Sequence, residues 1–541
     1  MSDLPELPES SSSDSEEGGP PRRSAWARLG RRVTDRVREA VEDVVERASE
    51  VADPDVLLLR TMGGLVDLSA RRYALDPGAQ WRAGEPLKLL FAGYSGTRNT
   101  GADVRVEEMI RQVRHLVGDL HCELSITTID PELTRGYFRT VRQLELPQIF
   151  PRFVFDTVHE VHGVIACEGS MFKSKFANAL STFMVGALGC ASAENKLSVA
   201  YGGEAGDMDP ELRNLVGKHC QQSLVICRNE ASRDVLGELG VPTESGTDTA
   251  WTFEPAHPEV GERLLRDAGW DGVQKVLAIA PINAFWWPVK PDVRKGLAHF
   301  ATGAFAADHY KSVYFHRSGE DVDRAQESYL SGIAEGLRRF ESQHDVFVVL
   351  VGMEKLDRSA CDRLEELIGR PLPRFISDEH DMYEMVSMLR TCHMLLSSRY
   401  HAIVCSMPGL VASAGITMDE RIANLMDDRG TPELALRVDQ PALGRAVHTT
   451  LTKLHDDAEP LRAGIAETVV ENLERMGRMG QVFVDHLRER HPGFPLQEEL
   501  GLHGDPWAHL PPLSEALHRL IGDVRPDVLP RLKGTTRGRP T

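Results

Sequence analysis

Short apolar runs that end in a glycine-containing turn and lead into a helical pattern recur along this chain. In the first of them, Leu87–Ala92 precedes the turn GYSGTRNTG, and apolar residues at helical spacing follow over 104–116. The later runs of the first half lie at 123–128, 163–167, 197–201 and 224–228. Strands that alternate with helices build a parallel sheet covered by helices on both faces, so the pattern predicts an α/β domain.

The alternation begins again after the segment EPAHPEVGER, residues 254–263, which places the boundary between the two sets near 255–272. The second set of predicted strands lies at 276–280, 312–316, 346–352 and 394–397, again with helical patterns between them. A chain of 541 residues has room for two or three domains. We therefore predict two successive parallel-sheet domains.

The remaining residues are predicted to extend these domains. The predicted parts are a disordered acidic tail over 1–24, a helical N-terminal extension over 25–84, an N-terminal domain over 85–258, a C-terminal domain over 259–440, and C-terminal helices with a tail over 441–541. Residues 25–52 carry arginines early and glutamates late along one amphipathic pattern. Two interpretations stay open for this helix: docking on the main body, or peripheral contact with a membrane surface.

The formal net charge of −19 limits the partners of the chain. An acidic protein repels nucleic acid at long range, so we expect no nucleic-acid partner. An anionic substrate would have to be held by a local cluster of basic side chains or backbone N–H groups. No signal peptide and no membrane-spanning run is evident, and the expected location is the cytoplasm.

The cysteines and histidines show no metal-site pattern. The eight cysteines lack C-x-x-C spacing and lie mostly in apolar stretches, which favours buried free thiols. His159 and His162 are three residues apart, but no third ligand lies nearby, and we interpret the pair as part of a surface helix. We predict neither a metal nor a cofactor.

Three glycine-containing turns follow predicted strands of the first half. They contain the candidate acceptor-binding or cleft residues Gly93, Gly96, Asn99, Gly101, Gly169, Ser170, Gly202 and Gly203. Ligands of open α/β sheets bind outside the carboxyl ends of the strands, where such turns should lie side by side. Each turn alone could also be a purely structural tight turn.

The segment MLLSSRYHAIVCSM, residues 394–407, is the strongest local feature. An apolar strand ends at Ser397, and Arg399 and His401 follow before an apolar helix. Arginine offers a planar fork for a carboxylate or phosphate, and histidine exchanges a proton near neutral pH. The alternative is a helix-capping arginine with a packed histidine. Trp286 and Trp287 could likewise stack on a sugar or pack in the core.

Five segments together resemble the polysaccharide pyruvyl transferase family, in the family's order over about 87–490. They are LLFAGYSGTRNTGAD, GVIACEGSM, LSVAYGGEAG, VICRNEASRDVLGELGV followed by TDTAW, and LRTCHMLLSSRYHAIVCSM. The last is similar to the family's Ser–x–Arg–Leu–His–Ala segment, with Tyr400 in place of leucine. The resemblance implies a GT-B-like fold of two Rossmann-like domains facing a cleft.

The resemblance also implies an activity. The family transfers pyruvyl from phosphoenolpyruvate to two hydroxyls of a sugar, giving a ketal, and the acceptor would be a glycan or a lipid-linked saccharide. The implied catalytic residues are His401 and Arg399, and the implied donor-binding residues are Arg399 and Tyr400. Asn283 stands near a position where the family often has arginine, and Arg317 is the candidate to replace that charge.

The shared architecture and the departures from the family pattern keep two alternatives open. Cys167 and Glu168 stand where glycines are common in the family, and Asn283 lacks the arginine's charge. The alternatives are a GT-B glycosyltransferase that uses a nucleotide sugar, and a non-catalytic glycan-binding relative.

Overall fold

The computed structural model describes residues 53–292, 295, 314–496 and 504–532. The predicted tail over 1–24 and the predicted helix over 25–52 lie outside these residues. The helices and strands below belong to one compact unit that begins at Pro54.

The first half of this unit is built around a seven-stranded parallel sheet. Its strands are β1 (Leu87–Ala92), β2 (Cys122–Thr128), β3 (Arg142–Glu145), β4 (Gly163–Ala166), β5 (Leu197–Gly203), β6 (Leu224–Cys227) and β7 (Thr243–Ser245), in the order β3-β2-β1-β4-β5-β6-β7. Its helices are α1 (Pro54–Leu75), α2 (Thr100–Val117), α3 (Pro151–His159), α4 (Asn178–Ala193), α5 (Pro210–His219), α6 (Glu230–Gly237) and α7 (Pro258–Asp267).

The second half contains a six-stranded parallel sheet and a small antiparallel pair. The sheet is formed by β8 (Lys275–Ala280), β11 (Val346–Gly352), β12 (Arg374–Ile376), β13 (Met394–Ser397), β14 (Ala412–Thr417) and β15 (Ala435–Arg437), in the order β12-β11-β8-β13-β14-β15, while β9 (Lys290–Pro291) pairs with β10 (Tyr314–Phe315). The helices are α8 (Glu320–Glu341), α9 (Arg358–Ile368), α10 (Met382–Thr391), α11 (Tyr400–Ser406), α12 (Glu420–Asp428), α13 (Leu443–Asp456), α14 (Ala458–Arg490) and α15 (Glu515–Val524).

Burial explains why these strands read as continuous apolar runs. Every residue of β5 and β13 is buried, and β1 and β8 each expose one residue, a lysine near the strand's start. A parallel sheet is covered on both faces, so alternation of polar and apolar residues is not needed. The prediction of two parallel-sheet α/β domains is confirmed.

Both sheets have the doubly wound strand order, and this order determines where a ligand can sit. In the first sheet the order reverses between β1 and β4, and in the second between β8 and β13. The loops after two such strands diverge to opposite faces of the sheet and leave a crevice at its carboxyl edge. The turns of GYSGTRNTG and SSRYHA follow β1 and β13 and therefore border the two crevices.

The predicted strand over 312–316 is wrong as a member of the second sheet. The described part of that run, Tyr314–Phe315, pairs antiparallel with Lys290–Pro291 outside the sheet. Six short or small-residue strands (β3, β7, β9, β12, β14 and β15) were not predicted. β14 reads ASAGIT, which lacks the run of large apolar residues seen in the predicted strands.

The long helix α14 returns from the second half to pack against the first. The Gln112 side chain donates a hydrogen bond of 2.8 Å to the carbonyl of Met476, and Asn472 bonds the Thr247 hydroxyl. All eight cysteines are buried free thiols, as predicted. In the described part of the chain, no helix is both long enough and apolar enough to cross a bilayer.

Candidate functional site

A cavity of about 250 Å³ lies where the carboxyl edges of the two sheets meet. Its polar part is lined from the first sheet by Gly93, Asn99, Gly101, Glu168 and Ser170, and from the second by Glu354, Ser398, Arg399, Tyr400 and His401. These residues follow β1 and β4 on one side and β11 and β13 on the other. The two switch points thus open into one cavity.

His401 is held in the first turn of α11 by a buried carboxylate. Its Nε2 lies 3.3 Å from Oδ2 of Asp248, which is fully buried just after β7. Burial alone would raise the pKa of Asp248, but the charges of His401 and Arg105 outweigh it and hold that pKa well below its ordinary value. An ionised Asp248 can only accept, so Nε2 carries the hydrogen, and in the neutral ring Nδ1 bears the lone pair.

Gly101 allows the N-terminal turn of α2 to approach the imidazole. A Cβ at this position would lie 2.5 Å from Cγ and Nδ1 of His401. Asn99 caps the same helix, because its side chain accepts a hydrogen bond of 3.2 Å from the backbone N–H of Ala102. Nδ1 of His401 makes no hydrogen bond to any residue that the structure describes, which leaves it available to exchange a proton.

Asp248 belongs to a buried charge cluster that sequence reasoning did not identify. Nη1 of Arg228 lies 3.2 Å and Nε of Arg105 3.3 Å from Oδ2 of Asp248. Arg228 also pairs with Glu204, and its guanidinium lies 4.5 Å above the ring of Tyr400. Glu204, Arg228 and Asp248 follow three neighbouring strands, β5, β6 and β7. The only signal was their place in the YGGEAG, CRNE and TDTAW segments.

Arg399 is already paired with two carboxylates. Its Nε lies 2.8 Å from Oδ2 of Asp357, and its Nη2 lies 2.8 Å from Glu354 and 2.5 Å from Oδ1 of Asp357. Burial raises the pKa of Asp357 to about 6, although the neighbouring Arg399 lowers it in part. An anionic ligand would therefore have to compete with these carboxylates for the guanidinium.

The structure brings only part of the predicted donor set together. Arg399, Tyr400 and His401 line the cavity. Asn283 instead donates to the carbonyl of Leu356 and to the Ser359 hydroxyl, both at 3.0 Å, and so holds the segment that carries Asp357.

Arg317, the candidate to replace the family's arginine, also lies outside the cavity lining. Its side chain is 51% exposed, and its Nη2 lies 3.4 Å from Asp321.

The predicted turn residues divide in the same way. Gly93, Asn99, Gly101 and Ser170 line the cavity, whereas Gly96, Gly169, Gly202 and Gly203 do not. Gly96 and Gly202 have φ of 92° and 65°, and a Cβ there would lie 2.9 Å and 2.7 Å from backbone atoms. At these two positions glycine is required by the backbone path rather than by a ligand.

Another part of the cavity lining is apolar, and we call it the apolar arm. It is formed by Leu146, Phe150, Phe176, Leu180, Phe183, Trp287 and Val289. The rings of Trp287 and Phe176 meet edge to face at 5.2 Å, and Trp287 meets His316 at 4.9 Å. Trp287 therefore forms a wall of the cavity, and Trp286 does not line it.

The interpretation of His159 and His162 as surface residues is wrong for His162. His162 lies beyond the end of α3 and is 4% exposed. Its Nδ1 accepts a hydrogen bond of 3.0 Å from the backbone N–H of Lys88, and burial lowers its pKa to about 4. His159 contacts Glu194 and Asp76 instead.

The family model described as polysaccharide pyruvyl transferase matches residues 195–407 of this chain. The resemblance seen in the motifs is confirmed over this stretch, which contains Glu204, Arg228, Asp248, Arg399 and His401. A search of curated protein sequences gave no significant match.

Solved structures show more distant likenesses. Anabaena HepE in complex with UDP-glucose is 12% identical, with 74% of this chain and 100% of that chain covered and a TM-score of 0.45. The UDP-GlcNAc 2-epimerase from Neisseria meningitidis gives the same four values. A glycosyltransferase from Rickettsia africae is 10% identical, with 75% and 98% covered and a TM-score of 0.44. The fold assignment rests on the strand order described above.

Proposed function

We propose that this protein is a pyruvyl transferase, which moves the pyruvyl group of phosphoenolpyruvate onto two hydroxyls of a saccharide as a ketal. The observation that carries the proposal is the Asp248–His401 pair, which lies in the matched stretch and places His401 in the cavity lining. A buried anion that fixes the tautomer of a histidine is the arrangement needed to deprotonate a hydroxyl.

The proposed reaction balances without an added cofactor. A proton adds to carbon 3 of phosphoenolpyruvate, and one acceptor oxygen bonds to carbon 2. The bond from carbon 2 to the phosphate oxygen then breaks, and the second acceptor oxygen takes its place. The two hydroxyls lose one proton each. One of these protons accounts for the proton that carbon 3 gains, and the other leaves with phosphate.

His401 would act as the general base. Its Nδ1 accepts the proton of an acceptor hydroxyl, while Asp248 stabilises the imidazolium that forms. Proton transfer of this kind contributes about 10²–10⁴ to a rate. Asp248 is a positioning residue here, because it acts through His401.

Arg399 would contact the donor at the cost of its present ion pairs. A carboxylate or phosphate of the donor would share the guanidinium with Asp357 and Glu354. Protonation of Asp357 would release part of the positive charge of Arg399 for the donor. Donor binding is therefore expected to depend on the protonation of Asp357.

The apolar arm favours a lipid-linked saccharide as the acceptor. Its lining residues offer aromatic and aliphatic surface continuous with the polar part of the cavity. Each methylene buried there contributes about 0.8 kcal/mol. The sugar would then lie near His401 and the first part of its hydrocarbon anchor near Leu180.

The direct test is phosphate release from phosphoenolpyruvate in the presence of candidate acceptors, with mass spectrometry of the acceptor. The proposal expects stoichiometric release of phosphate and formation of a pyruvyl ketal. Absence of phosphoenolpyruvate binding at millimolar concentration would contradict it. Binding of a nucleotide sugar instead would favour a glycosyltransferase, and glycan binding without phosphate release a non-catalytic relative.

A further inference from the structure

Helices α8 and α13 pack against each other through two glycines. A Cβ at Gly332 would lie 2.9 Å from Leu443, and a Cβ at Gly336 would lie 2.6 Å from Val447. The contacts advance in the same direction along both helices, so the helices run parallel. Their C-terminal ends therefore lie side by side at one end of the second sheet.

Carbonyl groups, carboxylates and basic side chains lie together at this end of the helix pair. Each helix C-terminus carries about half a negative charge on its last carbonyls. Asp345 and Asp456 add carboxylates, whereas Glu341 is paired with Arg370. Lys275 lies at the same end, and its Nζ lies 3.3 Å from Nε2 of His455.

Two imidazoles and a carboxylate converge at this point. His344 follows the end of α8, and His455 and Asp456 are the last residues of α13. The ring centroids of the two histidines are 4.2 Å apart, and Nδ1 of His455 lies 2.8 Å from Oδ1 of Asp456. One possible ligand atom from each of the three residues lies within 4.8 Å of the other two.

We propose that His344, His455 and Asp456 bind a divalent cation of the Zn²⁺ type. Neutral imidazole together with carboxylate suits Zn²⁺, whereas Mg²⁺ and Ca²⁺ prefer sites made of oxygen alone. Three protein ligands leave a further position for water. None of the three lines the catalytic cavity, so the bound ion would join the ends of α8 and α13 rather than take part in pyruvyl transfer.

Lys275 lies next to the proposed site and should oppose Zn²⁺ binding. A bound Zn²⁺ would bring two positive charges close to the Lys275 ammonium, which would have to turn away into solvent. Lys275 is exposed at the start of β8, so this movement is open to it. Replacing the ammonium by an uncharged side chain should therefore tighten Zn²⁺ binding.

The test is calorimetric titration of the tag-free, metal-stripped protein with Zn²⁺ and, separately, with Mg²⁺. We expect one Zn²⁺ per chain, no Mg²⁺ binding at the same concentrations, and a higher Tm with Zn²⁺. His344→Gln and His455→Gln should each weaken Zn²⁺ binding by at least about tenfold. Lys275→Met should strengthen it several-fold.

His448→Gln is the matched control, because His448 lies two turns earlier on α13 and bonds Gln343 at 3.4 Å. It should leave the Zn²⁺ affinity within about twofold of the wild-type value. Far-UV circular dichroism without metal should be the same for all variants. Absence of Zn²⁺ binding, or Zn²⁺ binding that neither His344→Gln nor His455→Gln weakens, would overturn the proposal. Neither result bears on pyruvyl transfer, which is measured separately.

Discussion

At the residue scale, the arrangement around Asp248 determines which nitrogen of His401 can accept a proton. The two residues are 153 positions apart, and they meet because the segment after β7 passes beside the first turn of α11. The sequence pattern around 394–407 was sufficient to single out Arg399 and His401. It could not single out Asp248, because nothing local to TDTAW indicates what lies opposite in the fold.

Asp248→Asn is expected to lower kcat by about 10² or more, because the neutral amide no longer stabilises the imidazolium. Steady-state phosphate release at saturating phosphoenolpyruvate and acceptor measures the loss. Arg228→Lys disturbs the same charge cluster but leaves the Asp248–His401 contact. An Arg228→Lys variant that loses as much kcat as Asp248→Asn would show that the loss reports general damage.

Donor affinity should rise as the pH falls through about 6. Burial raises the pKa of Asp357 to about 6, so this carboxylate becomes neutral below that pH and stops competing for Arg399. Calorimetry with phosphoenolpyruvate at pH 5.5 and 7.5 measures the change, which we expect to be several-fold. Asp357→Asn should bind the donor more tightly at pH 7.5 and retain only the pH dependence of phosphoenolpyruvate itself. Equal pH dependence in both proteins would exclude Asp357 as the cause.

At the element scale, strands that form a run of large apolar residues could be predicted, and strands without such a run could not. β1, β5, β8, β11 and β13 are buried runs of four or more residues, and their predicted positions agree with the structure to within one or two residues. β12 and β15 have three residues each and gain their place from neighbouring strands rather than from their own pattern. The role of Gly101 could not be predicted either, because the imidazole that packs against it belongs to the other half of the chain.

Gly101→Ala should destabilise the protein and impair catalysis. Its methyl would lie 2.5 Å from the His401 ring, and overpacking of this kind costs about 1–3 kcal/mol. Gly64→Ala is the matched control, because Gly64 lies in α1 with no atom within 4 Å of its would-be Cβ, and alanine there should stabilise by up to about 1 kcal/mol. Urea unfolding and kcat measure the two effects. Gly101→Ala with wild-type stability and kcat would contradict the close packing.

At the scale of the whole molecule, the proposed function depends on the meeting of two switch points. The chain carries a net charge of −19, yet two arginines and two histidines line the cavity between its two sheets. Contacts such as the 2.6 Å pair of Lys173 and Glu420 join the two halves beside that cavity. The order of the motifs predicted two facing sheets. Charge compensation around Arg399 could not be predicted, because Glu354 and Asp357 reach it from the loop after β11.

The apolar arm predicts that acceptor affinity grows with alkyl chain length. For n-alkyl glycosides below their critical micelle concentrations, each additional methylene buried in the arm should tighten binding about fourfold. Leu180→Gln places an amide in the arm and should weaken octyl glycoside binding by about tenfold. Leu75→Gln, at a side chain that is 90% exposed, is the control and should change nothing. An affinity that does not depend on chain length, or an equal loss of affinity in both variants, would contradict a lipid-linked acceptor.

The most direct measurement of the central claim compares the wild-type protein with His401→Gln. It follows the release of phosphate from phosphoenolpyruvate and the formation of the pyruvylated acceptor. Glutamine keeps a hydrogen-bonding group near Asp248 but cannot exchange a proton. The account predicts that kcat falls by about 10²–10⁴ while the Kd for phosphoenolpyruvate stays within about threefold. A folded His401→Gln protein with full activity, or a wild-type protein that binds no phosphoenolpyruvate, would contradict the account.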